Sequence, residues 1–212
     1  MFKPSDRDVF SWSVPDAEFG EMMNGHILLL NDGYVLVDPP MAPDLVEDLS
    51  VFGKCLGIIS LGPAHKRGAM TLASMLKTNL FVPDFAVDAF GGSSETVKSY
   101  GNGSSLPGNL KAVELQTKIG IFGDHKIHEM ALTDEKNRAF VADACYAFDG
   151  KMNVAPEGIM PNFSHEQASA SFGEVYHKLG SKMTHGFFGH GVDLKGNFGA
   201  EIERRKKEFT LK

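Results

Sequence analysis

The chain has 212 residues, with 21 Lys+Arg against 27 Asp+Glu and a formal charge of −6. That length is enough to bury a substantial core, and 42% hydrophobic with 23% charged residues excludes a disordered chain. A net negative chain is not expected to hold nucleic acid, and its longest aliphatic run, Ile27-Leu28-Leu29-Leu30, is far too short to span a bilayer. Residues 1–8 have no apolar stretch behind them, so no secretory signal is read and a cytoplasmic location is expected. Cys55 and Cys145 sit in apolar, strand-like contexts and read as reduced core thiols.

The first forty residues read as strands. Residues 25–31 and 34–38 are apolar runs on either side of Asp32-Gly33, a strong hairpin signal. Pro39-Pro40 then stops the second strand, because neither residue can donate to a ladder. Pro43 suits the first turn of a helix reaching Phe52, with Leu45, Leu49 and Phe52 on one face. A buried strand is expected over 55–60, a helix from about His65 carrying Met70, Leu72, Ala73 and Leu76, and a strand over 79–83. This alternation is an α/β pattern.

The stretch 91–109 holds Gly91, Gly92, Gly101, Gly103 and Gly108 and reads as a long surface segment with at most one helical turn near 95–99. Strands are expected to resume over 111–115, 118–122, 126–132 and 138–142, the last two joined by a turn at 134–137. A second long loop is read over 153–163. Ser164-His165-Glu166-Gln167 has the form of a capping box, opening a helix with Phe172, Val175, Tyr176 and Leu179 inward and Gly180 as its stop. A strand over 183–188 runs into Gly189-His190-Gly191, and a helix over 198–209 closes the chain. Its run Arg204-Arg205-Lys206-Lys207 reads as a solvated face near the negative end of the helix dipole.

The chain has eight histidines. His165 and His177 fall on the capped helix and His26 in a strand, whereas most of the others stand where strands hand over to loops. In open α/β sheets, ligands gather beyond strand ends. Asp143, directly after Phe140-Val141-Ala142, has that placement too. A carboxylate with imidazoles on other strand ends suits a zinc, iron or manganese site of a metal-assisted hydrolase.

The order of these features resembles the metallo-β-lactamase fold superfamily, from about Asn24 to Phe209. Tyr34-Val35-Leu36-Val37-Asp38-Pro39-Pro40 is similar to its opening strand that ends in Asp-Pro. Phe140-Val141-Ala142-Asp143 resembles its Gly-Asp strand end, with Ala142 in place of glycine, and Gly189-His190-Gly191 its last Gly-His. His125, in Gly123-Asp124-His125, stands in the position of its third, lone histidine. The resemblance implies one αββα sandwich over 1–212, two mixed β-sheets packed face to face with helices outside and the site at one edge.

The superfamily's H-x-H-x-D-H-x-x-G stretch is degenerate here. Set without gaps, His65 keeps the last histidine, Ala64 replaces the aspartate, and Ser60 and Gly62 replace the first two histidines. Sliding by one residue puts His65 on the aspartate and Lys66 on the histidine instead. Under either register the first metal position has lost two of its three imidazoles. The resemblance then implies a remnant second position for one divalent ion, made by His65, Asp143 and His190 with His125 near. Asp38 is expected at the same edge. Lys66 and Arg67, read at a helix N-terminus, would bind an anion in this pocket.

Glu129, opening a strand, could orient His190 or Arg67 but reads more simply as exposed, and Cys145 as a buried thiol rather than a ligand. The glycine-rich stretch lacks a G-x-x-x-x-G-K-S/T signature, so no nucleotide site is read there. Two functions of different class follow. One is a mononuclear metal-dependent hydrolase acting on a small ester, lactone or phosphoester. The other is a non-catalytic protein of the fold that binds a small anion or a partner in the remnant pocket. Oligomeric state is not legible in the sequence.

Overall fold

Strands β1 (Lys3–Pro4), β2 (Val9–Pro15), β3 (Met22–Leu30) and β4 (Gly33–Val37) form successive antiparallel pairs. The β3–β4 hairpin is the expected one, shifted by a residue. Its turn is Asn31-Asp32, and Gly33 is already paired with Leu30. The computed structural model describes residues 1–16, 20–121, 124–157, 160 and 162–209, in two compact units, Met1–Ala112 and Val113–Lys212.

In the first unit, helix α1 (Leu45–Leu49), a 3-10 turn (Ser50–Phe52) and β5 (Cys55–Ile59) follow, then α2 (Ala69–Leu76) and β6 (Leu80–Pro83). β4, β5 and β6 run parallel, so a helix covers each crossover. Their near-continuous apolar runs are buried as a parallel sheet requires, with Val35, Leu36, Val37, Ile58 and Ile59 at no more than 1% exposure. Trp12, Tyr34, Leu72 and Phe90 complete this core, and the Trp12 indole N–H donates to the Pro40 carbonyl (3.1 Å).

Two expectations are corrected here. No helix starts at His65. Pro63–His65 is a 3-10 turn, Arg67 has a φ of 38°, and that left-handed residue separates the turn from α2 at Ala69. The segment after β6 is also more ordered than its glycines imply. A 3-10 helix (Asp84–Phe90) leads to β7 (Val97–Tyr100), which adds in parallel to β6 and ends the sheet in the order β1-β2-β3-β4-β5-β6-β7. Val97 and Tyr100 anchor it, both buried, and the Tyr100 hydroxyl donates to Ser60 O (2.7 Å). The short β8 (Ser105–Leu106) then pairs with the start of β9 (Leu110–Gln116).

The second unit carries β10 (His128–Thr133), β11 (Arg138–Val141), β12 (Cys145–Phe148), β13 (Lys151–Val154), α3 (His165–Leu179), β14 (His185–Phe188) and α4 (Phe198–Phe209). The second sheet has the order β14-β11-β10-β9-β8, with β10–β11 antiparallel and β11–β14 parallel. The chain thus builds two mixed β-sheets with flanking helices. Of the strand expected over 118–122, residues 118–121 form none and residue 122 lies outside the described residues. The loop read over 153–163 begins inside β13. β12 and β13 form a hairpin across Asp149-Gly150, both at positive φ as such two-residue turns demand. Residues 158, 159 and 161 of that loop lie outside the described residues.

The capping box of α3 is present in both directions. Gln167 N donates to Ser164 Oγ (3.1 Å) and Ser164 N donates to Gln167 Oε1 (2.8 Å). On α4 the basic run is not all solvent-facing. Arg205 is 8% exposed, bonded to Glu157 and Glu208 and laid over the Phe209 ring, because a buried guanidinium needs partners for its charge. Among the described residues no helix is long and apolar enough to cross a membrane.

Candidate metal centre

Within the first unit, Asp38 caps β4 just before Pro39-Pro40 end the strand. Its φ of 46° is a left-handed conformation that Asp tolerates better than most side chains. Asp38 is 2% exposed, and both carboxylate oxygens are engaged. Oδ1 accepts from Leu61 N (2.7 Å), and Oδ2 lies 2.6 Å from His65 Nδ1. A carboxylate beside Nδ1 places the imidazole proton there, so the lone pair that a metal ion takes sits on Nε2.

The connection from β5 to α2 is tied down along its length. Ser60, fully buried, holds its Oγ 3.2 Å from both Gly62 O and His65 O. Gly68 N donates to Pro39 O (3.1 Å), and the Arg67 guanidinium donates to Asn24 O (2.7 Å) and Asp38 O (3.3 Å). Lys66 Nζ donates to Ala89 O (2.8 Å) and stands over the Phe90 ring. Lys66 and Arg67 therefore precede α2 rather than open it, and both cations meet backbone carbonyls.

Within the second unit, the parallel register of β11 and β14 pairs Val141 with Phe188. Gly189 N donates to Val141 O (2.9 Å), which carries the pairing one step past the strand. Asp143 lies two residues beyond Val141 and His190 two beyond Phe188. The two side chains meet there, His190 Nε2 3.4 Å from Asp143 Oδ1, with 22% and 33% of each exposed. Donor atoms ~2.0–2.1 Å from a tetrahedral ion are about 3.3–3.4 Å apart, so this separation fits two corners of one coordination sphere. Gly191 holds the loop beyond. Its φ is 74°, and a Cβ there would come 2.3 Å from Ala147 O, so only glycine lets β12 approach.

Glu129 corrects an expectation. It is 4% exposed, not a solvent-facing strand residue. Its Oε2 accepts from Asp143 N (2.9 Å) and its Oε1 from Ala144 N (3.2 Å). No local signal marks this, since its partners lie more than a dozen residues further along the chain.

Of the remaining histidines, His125 is exposed, its carbonyl accepts from Ile121 N (2.7 Å), and it does not join Asp143 and His190. Gly123, two residues before it, lies outside the described residues. His26 is buried in β3, His128 pairs with Glu114 (2.8 Å), and His185 with Thr184 (2.9 Å). Cys145 is fully buried. Burial pushes its thiol well above the usual range and the nearby Glu129 charge adds to this, so it has the character of a core residue.

Solved metallo-β-lactamases align with this chain over nearly its whole length. The DIM-1 metallo-β-lactamase is 14% identical, with a TM-score of 0.71 over 98% of this chain and 97% of its own. A metallo-β-lactamase from Hirschia baltica is 14% identical, with a TM-score of 0.64 over 96% of each chain. FIM-1 from Pseudomonas aeruginosa, solved in a mono-zinc form, is 10% identical, with a TM-score of 0.66 over 100% of this chain and 96% of its own. No protein-family model and no curated protein sequence matches the chain. The chain has the metallo-β-lactamase fold, in a divergent sequence.

Proposed function

We propose that the chain is a metal-dependent hydrolase that holds one divalent ion through His65, Asp143 and His190. The observation that carries this reading is the set of donors itself. Asp143 Oδ1 and His190 Nε2 stand 3.4 Å apart, and His65 is the histidine that the degenerate motif keeps, its Nδ1 taken up by Asp38. Two imidazole nitrogens and one carboxylate oxygen suit zinc, iron or manganese. Two details support it, each within one unit: the 3.4 Å spacing of Asp143 and His190, and the Asp38 carboxylate that turns the His65 lone pair onto Nε2.

One ion, rather than two, is the expectation for this chain. Ser60 and Gly62 bring no imidazole, and the Ser60 hydroxyl lies against the carbonyls of its own loop. FIM-1, of the same fold, has been solved with a single zinc. A divalent ion held by these residues would supply Lewis-acid chemistry and would activate a water as nucleophile near neutral pH. For their part, Asp38 orients His65, Asp143 supplies the negative charge of the ligand set, and His190 is held beside it by strand register. The substrate class is a small ester, lactone or phosphoester.

Elemental analysis of untagged protein, melting curves with and without chelator, and a panel of ester, lactone and phosphodiester substrates test this. Near-stoichiometric metal, a chelator-induced drop in melting temperature and chelator-sensitive turnover are expected. A metal-free protein with a chelator-insensitive melting curve would sink the reading. Stabilisation of that protein by phosphate would point to an anion pocket instead.

A further inference from the structure

We infer that Glu129 is a positioning residue for the candidate metal centre, holding the Asp143 carboxylate in place through the backbone. The inference rests on the metal reading above and concerns a residue outside the ligand set.

Residues 142–144 belong to neither helix nor strand, so their amides lack the partners that regular structure provides. Ala142 and Ala144 are each 1% exposed, which denies their own amides water as well. Glu129, at the start of β10, meets the need with both carboxyl oxygens, which accept from Asp143 N (2.9 Å) and Ala144 N (3.2 Å). The next peptide is fixed from the other side, where Ala144 O accepts from Ser171 Oγ on α3 (3.0 Å) and from Ala155 N (3.3 Å). Two consecutive amides on one buried carboxyl group leave the turn little freedom to rotate. The Cα–Cβ direction of Asp143 follows, and with it the 3.4 Å approach of Oδ1 to His190 Nε2. Glu129→Gln keeps the shape but turns one acceptor into an N–H2 that faces an amide donor. The turn then loses one of its two ties.

The test is a zinc competition titration on the full chain, for wild type, Glu129→Gln, Asp143→Ala and the double variant. Removing an outer partner of a ligand typically weakens metal binding about 10- to 100-fold, and a loss of that size is expected for Glu129→Gln. In the Asp143→Ala background the same change should add nothing, because the ligand being positioned is gone. Equal zinc affinity in wild type and Glu129→Gln would overturn the positioning role and leave the metal reading standing. A wild type that binds no zinc would overturn the metal reading, and this inference with it. Should Glu129→Gln fail to fold, amide hydrogen exchange of the chelated wild type decides. Asp143 and Ala144 amides protected like those of β10 and β11 are expected, and exchange at free-loop rates would overturn the proposal.

Discussion

Asp38 Oδ2 and His65 Nδ1 meet at 2.6 Å, and each residue is only 2% exposed. The contact joins the end of β4 to the turn after β5. The second Asp38 oxygen holds that turn as well, through Leu61 N. Asp38 therefore serves both the backbone path and the ring orientation of one histidine.

Asp38→Ala strands two buried donors, the Leu61 amide and His65 Nδ1–H, at about 1–3 kcal/mol each. It also puts an ordinary side chain at a φ of 46°. Urea unfolding in chelator should show a large stability loss. Asp38→Asn keeps the backbone preference and an acceptor, so it should fold better yet bind zinc about tenfold or more weakly. An Asp38→Asn protein with wild-type zinc affinity would contradict the orienting role.

Zinc titration of the wild type should saturate at one tight equivalent per chain. At a free zinc concentration of 100 Kd the native state gains about 2.7 kcal/mol, visible as a rise in melting temperature. Asp143→Ala removes the anionic ligand and should abolish most of that rise, whereas His125→Ala should preserve it. Two tight equivalents, or a loss caused by His125→Ala, would refute the ligand set.

How much was legible in the sequence depended on the distance between interacting residues. The Ser164–Gln167 box and the β3–β4 hairpin are local, with each signal complete within a few residues; the box is where it was expected and the hairpin turn within one residue of it. The β12–β13 hairpin carried the same type of mark in Asp149-Gly150, but its strands are only four residues each and show no clear alternation. In β7 only Val97 and Tyr100 are buried, too few positions to stand out against flanking glycine and serine. The burial of Glu129 was out of reach, because its donors arrive on a different strand end. Asp143 and His190 were marked by their strand-end placement and by the resemblance of their motifs, and the parallel register of β11 and β14 is what brings them together.

Ser164→Ala should cost about 1 kcal/mol, since it removes the acceptor for Gln167 N at the start of α3. Ser164→Thr, which keeps an acceptor, should cost less. Chemical unfolding monitored by circular dichroism measures both. A neutral Ser164→Ala would mean that tertiary packing alone fixes this end of the helix.

Cys145 predicts the direction of a pH effect. Burial, helped by the Glu129 charge, raises its thiol well above the usual range in the folded state. The unfolded chain therefore ionises first, near pH ~8.5. Below that pH the contribution to stability is complete, and it is lost as pH rises towards the folded-state pKa, with a slope approaching about 1.4 kcal/mol per pH unit. Wild type should lose stability faster than Cys145→Ala between pH 8.5 and 10 (roughly the window set by the unfolded thiol). A thiol reagent should label Cys145 only on unfolding, and rapid labelling of the native protein would contradict this.

The pairing of Val141 with Phe188 works as a ruler. Asp143 and His190 are brought together because each stands the same count of residues past its strand, while the apolar side chains within the strands bury the sheet. Apolar exchanges in β11 or β14 leave that count untouched. Removing one residue between Val141 and Asp143 would break the equal count and draw the carboxylate back by up to about 3.3–3.6 Å, the reach of one residue. The pair is thus indifferent to much of the sequence around it and intolerant of any change in its length.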